Sequence, residues 1–216
     1  IRYMKAAPTT WVLQFKGSRL KREGAGLSFF YWEPTTTLVA VPMASVDVPF
    51  AFTEVTADFQ QVTVQGRLTY RVARPKELAA LLDYSVTPRG AWRSDDPEKL
   101  PERLIQATQT LARTVLEQQG LRQALGSVDQ LTSVVRAGLA QAEAVTRLGI
   151  EVLDVAIASV RPTPEMARAL EAEAREGLQR ESDQAIYARR NAAVEQERRI
   201  KENELNTEIT LAEQRR

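Results

Sequence analysis

Neither cysteine nor histidine occurs anywhere in the sequence. Without them there is no disulfide, no thiolate nucleophile, no Cys/His zinc site and no imidazole base near neutral pH. The usual apparatus of hydrolytic and redox chemistry is missing. The expectation is a protein that is not an enzyme, with no catalytic, cofactor-binding or metal-binding residues and no small-molecule substrate. No run of about 18 apolar residues is present, so no segment of this chain reads as a membrane-spanning helix, and no signal peptide is visible. An excess of one charge is also lacking. Lys and Arg number 29 against 28 Asp and Glu, which gives no overall pull toward nucleic acid. Proline occurs ten times but never after Pro164, and that last absence divides the chain.

Up to Pro164 the pattern is that of a folded domain. The segment Gly149-Ile150-Glu151-Val152-Leu153-Asp154-Val155-Ala156-Ile157 is short, apolar and β-branched, which predicts a buried strand over 150–160. Pro162 and Pro164 end it, and Thr163 with Pro164 begins a helix at the position where proline costs least. A strand of a domain therefore passes within three residues into a long helix, and this junction is read as a hinge.

Earlier in the chain, Trp11, Leu13 and Phe15 predict a strand turning at Lys16-Gly17-Ser18. Val39 and Val41, then Val46, Val48, Phe50 and Phe52, continue the period of two, with Pro42 and Pro49 marking edges or bends. The cleanest strand runs from Val62 to Val72. Val62, Val64, Gly66, Leu68, Tyr70 and Val72 share the buried face, and Thr63, Gln65, Arg67, Thr69 and Arg71 the wet one. At Pro75 the period changes. A short helix over 77–82 and a polar connection over 85–96 are followed by a helix that Asp96-Pro97 and Pro101 introduce and that ends near Gly120. Ser127-Val128-Asp129-Gln130 has the capping-box pattern and predicts a helix with Leu131, Val134, Val135, Leu139, Ala142, Val145 and Leu148 inward, closed by Gly149. Strands, then helices, then one more strand make an α+β fold with a mainly antiparallel sheet. The domain plan is a strand-rich half over 1–75, a helical half over 76–163 with the final strand, and the start of a long helix over 164–216.

From Pro164 onward ten Lys/Arg and twelve Asp/Glu surround scattered apolar positions. Leu170, Leu178, Ile186, Val194, Ile200, Leu205 and Ile209 are the candidate oligomerisation residues. A helix over this stretch is roughly 80 Å long, and its stripe is too thin to bury against its own domain. Its spacing is too irregular for a strict heptad. Two readings stay open: packing against other copies, or a solvated single helix held by i,i+4 pairs such as Glu197–Lys201. The pattern is still helical at Arg215-Arg216. With an opening residue other than Met, the natural chain is expected to extend beyond what is given.

The segment Gly26-Leu27-Ser28-Phe29-Phe30 with Pro34, then Thr56-Ala57-Asp58, then Val62 to Val72 with Pro75, and finally Gly149-Ile150-Glu151-Val152 through Pro164-Glu165-Met166, resembles the SPFH or Band 7 family. That group includes stomatins, prohibitins, flotillins and the bacterial HflK/HflC proteins. The resemblance implies an SPFH domain followed by the proximal part of a coiled-coil helix. It also implies homo-oligomeric rings or cages on membranes, and a non-catalytic scaffold that organises lipid microdomains or encloses membrane proteins, often proteases. Localisation by this reading is peripheral to a membrane or cytoplasmic, of the bacterial intracellular type. Two departures are that no hydrophobic N-terminal anchor is present and that Cys palmitoylation is impossible. The alternative is a soluble adaptor whose helix captures a partner protein without forming a cage.

Candidate membrane-contact residues are Leu27, Phe29, Phe30 and Trp32, with the basic residues Lys16, Arg19, Lys21 and Arg22 just before them. Aromatics of this kind suit the headgroup region, and each cation near anionic lipid contributes about 1 kcal/mol. The competing reading places alternate aromatics in a core and makes the basic segment a charged sheet edge that discourages strand pairing. Gly24-Ala25-Gly26 lacks the third glycine and the following helix of a dinucleotide fingerprint. Asp95 and Asp96 are explained by a helix start.

Overall fold

The computed structural model describes residues 1–214, with side-chain surroundings through Leu211; Arg215 and Arg216, expected to continue the helix, lie outside the described residues. Two compact units result, Ile1–Thr163 and Pro164–Arg216.

The first unit holds eight strands among the described residues: β1 (Arg2–Lys5), β2 (Thr10–Lys16), β3 (Arg19–Ala25), β4 (Ser28–Tyr31), β5 (Thr36–Pro42), β6 (Val46–Val55), β7 (Gln61–Val72) and β8 (Ile150–Pro162). They form three antiparallel sheets, β1-β4, β3-β2-β5 and β6-β7-β8. Helices α1 (Pro75–Leu81), α2 (Asp96–Leu116), α3 (Leu121–Gly126), α4 (Val128–Gln141) and α5 (Glu143–Thr146) lie between β7 and β8 in the sequence. The architecture is the α+β one with packed helices.

The main core is built on β7. Val62, Val64, Leu68, Tyr70 and Val72 are buried in strict alternation, and Leu100, Leu104, Ala112 and Leu116 of α2 and Leu131, Val135 and Leu139 of α4 are buried with them. Gly66 belongs to the same face, and a Cβ there would stand 2.4 Å from the Ala156 carbonyl oxygen and 2.6 Å from the Phe50 ring. Only glycine fits.

In β8, burial alternates in three registers rather than one. Ile150 and Val152 face inward, then Val155 and Ile157, then Val160. The pairing slips between Thr69 and Tyr70 and again between Gln65 and Gly66, leaving Leu153 and Ala158 as extra residues. Each bulge flips the side-chain parity of the strand. The strand expected over 150–160 is therefore present, with its buried face shifted twice by bulges.

Several expectations are corrected. A strand not among the expectations, β1, precedes the one at Trp11; four residues are too few for a period to stand out. The connection over 85–96 is not simply polar. Tyr84, Ser85 and Val86 are buried, and Ala40 N–H and Val86 N–H donate to the Tyr84 and Leu38 carbonyls at 3.0 and 2.9 Å. Pro101 lies inside α2 rather than at its start, where it forgoes one helical hydrogen bond. Ser127 does not cap α4; its hydroxyl donates to Gln119 Oε1 at 2.7 Å instead. The helix expected to run to Leu148 breaks at Ala142, whose backbone is extended, and Val134 is exposed.

An ion pair fastens β6 to α2. Glu54 is buried, and its carboxylate accepts from Arg113 Nε at 2.8 Å and from Gln109 Nε2 at 2.6 Å. The Arg113 hydrogen bonds hold its carboxyl below its ordinary value, against burial, which raises it, with Gln109 assisting. Because the folded value is depressed, the stabilisation is present above about pH 4.3, the ordinary carboxylate value. It is lost as pH falls through the folded value. Arg113→Met is expected to lower the melting temperature of the unit at pH 7, since the buried Glu54 carboxylate loses its charged partner. The difference fades once Glu54 is protonated; thermal melts of both proteins from pH 7 to pH 3 measure it.

The second unit is one helix, α6 (Pro164–Gln214). It starts at proline, as the Thr163-Pro164 pattern predicts. The i,i+4 ion pairs formed within it include Glu176–Arg180, Glu195–Arg199 and Arg198–Glu202, and among the described residues Glu197–Lys201 is not one of them. Each is exposed and contributes a few tenths of a kcal/mol at most.

Candidate functional site

The β1-β4 ladder sorts the aromatic cluster by parity. Tyr3 pairs with Phe30 and Met4 with Phe29. Phe29 and Tyr31 face inward and join a small core with Val12, Leu38 and Val86. Leu27 packs against that core half-buried. Phe30 and Trp32 face out, 71% and 57% exposed, and Tyr3 joins them at 55%, its ring 4.9 Å from that of Phe30. Phe29, expected at the surface, is therefore withdrawn from it. The reason is the pleat: neighbouring residues of a strand point to opposite faces.

The basic residues divide as well. Lys16 and Lys21 line one groove of about 340 Å³ with Phe30, Trp32 and Ile1. Lys16 ends β2, and Lys21 lies two residues into β3, across the turn at Gly17. Arg22 lies over the ring of the buried Phe29 at 5.6 Å. Arg19 is exposed at the start of β3, the outer strand of its sheet, the placement that the charged-edge reading describes. Lys16, Arg19 and Lys21 have no acidic partner within 4 Å among the described residues, whereas Arg2 is paired with Glu33 at 2.5 Å. The result is one outward face carrying Tyr3, Phe30 and Trp32 beside two unpaired lysines. Tyr3 and Ile1 were not legible as members, since nothing in four residues pairs them with Phe30 until the ladder forms.

On α6 the proposed contact residues are spread along the rod. Leu178, Ile186, Val194, Ile200, Leu205 and Ile209 are all at least half exposed; Leu170 is half-buried. Leu211 and Tyr187 are exposed too, although the contact set did not include them. Apolar side chains recur over nine turns or so, yet the charged residues between them leave no continuous stripe. Among the described residues no helix is long and apolar enough to cross a membrane.

The family model described as "SPFH domain / Band 7 family" matches residues 5–214. No curated protein matches the chain.

Proposed function

We propose, from the premise that this chain belongs to the SPFH domain / Band 7 family, that copies of it associate side by side at a membrane surface. Band 7 proteins are non-enzymatic scaffolds that generally oligomerise and associate with membranes. In this reading the assembly organises a lipid microdomain or encloses membrane proteins, proteases among them. The observation that carries it is α6. Leu178, Ile186, Val194, Ile200, Leu205 and Ile209 are each half or more exposed. Burial of such side chains is worth about 1.5–3 kcal/mol each, so association of several copies along the rod has a large driving force to draw on. The face carrying Phe30, Trp32, Lys16 and Lys21 supports the membrane side: rings that settle at the headgroups, cations that meet anionic lipid.

Sedimentation velocity and liposome flotation test the two parts. Ile200→Asp with Leu205→Asp is expected to shift the full chain toward smaller species and leave the melting of the Ile1–Thr163 unit within about 1 °C, since those side chains belong to the other unit. Lys16→Glu with Lys21→Glu is expected to weaken flotation on phosphatidylserine vesicles by at least thirtyfold, from about 1 kcal/mol per lost cation and the added repulsion. A strictly monomeric species at tens of micromolar, with or without vesicles, overturns the scaffold. Absence of flotation, together with loss of a bound partner protein on truncation at Pro164, favours the adaptor.

A further inference from the structure

The β6–β7 ladder carries a feature at each end that the reading above does not use. At the hairpin tip stands Phe59, 87% exposed with φ of 60°. A bulky side chain in the left-handed region is a true outlier, and such strain persists only where the surroundings over-determine it. Here Thr56, Ala57 and Asp58 do so. The buried Thr56 hydroxyl donates to Asp58, and Ala57 N–H donates to the Gln119 carbonyl at 2.9 Å. Both Asp58 oxygens accept from Leu121 N–H, at 3.1 and 3.0 Å. A rigid knuckle thus projects an aromatic ring into solvent.

At the other end, where Val46 pairs with Tyr70, lies an apolar cavity of about 200 Å³ lined by Tyr70, Tyr84, Trp92, Pro42, Pro97 and Leu100 among others. Tyr70 and Tyr84 are each at least 95% buried, and neither phenol hydroxyl has a hydrogen-bond partner among the described residues. Neither is fully sealed from solvent. Burial raises both phenols above their ordinary value, so both remain protonated donors. An apolar cavity of about 150 Å³ holds a benzene molecule. This one has room for a phenyl ring, and the Phe59 carbonyl, which accepts no hydrogen bond among the described residues, supplies an acceptor for a phenol.

We infer that Phe59 of one copy seats in the Tyr70–Tyr84–Trp92 cavity of the next, giving a head-to-tail contact between neighbouring Ile1–Thr163 units. The inference rests on the side-by-side assembly proposed above and names its contact. Knob and hole lie at opposite ends of the same ten-pair ladder, about 30 Å apart at 3.3 Å per residue. The 21 residues of α2 span the same interval, about 31 Å. Its Pro97 and Leu100 line the hole, and Gln119, just past its end, anchors the knuckle. A contact between two different surfaces of one chain is heterologous, so repetition advances by that interval and either closes a ring or continues as a filament.

Phe59→Asn separates the contact from the fold, because asparagine tolerates the left-handed region. Its melting temperature is expected to equal or exceed that of the unaltered chain, while the head-to-tail Kd rises about thirtyfold, as for an anchor residue lost from a pocket. Since the chain has no cysteine, a disulfide test needs no background removal. Ala57→Cys, exposed beside the knob and leaving Phe59 in place, and Ala44→Cys, at the cavity rim, are expected to give only a dimer when the single variants are mixed and oxidised. The double variant is expected to give a ladder of multiples, with and without anionic vesicles. Ala57→Cys dimerising with itself overturns the heterologous contact. Unchanged assembly of Phe59→Asn with no cross-linked ladder overturns the contact and leaves the scaffold standing. A monomeric unaltered chain overturns both.

Discussion

Tyr70→Asp is expected to abolish cooperative melting of the Ile1–Thr163 unit at pH 7, with loss of the near-ultraviolet circular dichroism of its packed aromatics. Tyr70 is 5% exposed and sits between Val46 on β6 and Val152 on β8. Of the nearby cations, Arg67 and Arg71 belong to the opposite face of β7, Arg71 is engaged by Glu151 at 2.6 Å, and Arg103, whose charge reaches the neighbouring Tyr84, stands 3.8 Å from Asp96. Burying an unpaired charge there, with the ring's volume vacated, costs about 4 kcal/mol or more. Domains of this size are stable by only about 5–15 kcal/mol, so most of the margin is gone. Tyr70→Phe, which keeps the ring and removes only the phenol, is expected to melt within about 2 °C of the unaltered chain. If Tyr70→Asp melted normally, the buried face of β7 would be wrongly assigned.

Gly66→Ala is the second large effect. The added methyl would lie 2.4 Å from a backbone oxygen of β8 and 2.6 Å from the Phe50 ring. Backbone cannot swing aside as the end of a flexible side chain does, and Phe50 is itself buried and stacked on Phe52 at 5.4 Å. Relief requires β8 to move off β7 at the bulge around Ala158, breaking ladder bonds near Ala156. Overpacking of this kind costs about 3 kcal/mol. For a unit of this size that corresponds to a fall in Tm of about 6–12 °C, measurable by differential scanning calorimetry. Ala158→Gly, at the extra residue of the same bulge, is expected to be far milder, because its side chain is exposed.

These two positions differ in how far the sequence announced them. Tyr70 was legible, because six apolar or small residues at period two from Val62 to Val72 define a face without any knowledge of its neighbours. The Gly66 requirement was not. The alternation places glycine on the buried face, but that its missing side chain admits a carbonyl of β8 depends on a strand about ninety residues away. The aromatic cluster lies between these cases. Period two divides Phe29 and Tyr31 from Phe30 and Trp32, yet either pair satisfies it. The choice was made by the register of β4 on β1, which sets Phe29 opposite Met4 over the Val12 and Leu38 core.

Local chemistry also misled where a tertiary partner outbid it. Ser127 has the capping spacing, but Gln119 lies within reach of its hydroxyl and takes it. The polar stretch over 85–96 looks like a loop, yet Val86 joins the Val12 and Leu38 core and Tyr84, just before it, is buried.

Taken alone, the chain's sequence determined the α+β class, the buried face of β7, the proline-marked passage into α6 and the sparse apolar pattern along it, because each depends on residues within one or two turns of each other. Tertiary structure alone decided which aromatics reach the surface, where β8 slips against β7, and that the Phe59 knuckle and the Tyr70–Tyr84 cavity stand at opposite ends of one ladder. Those features arise from contacts between residues far apart in the chain, where register and packing, rather than local preference, set which side chain meets which.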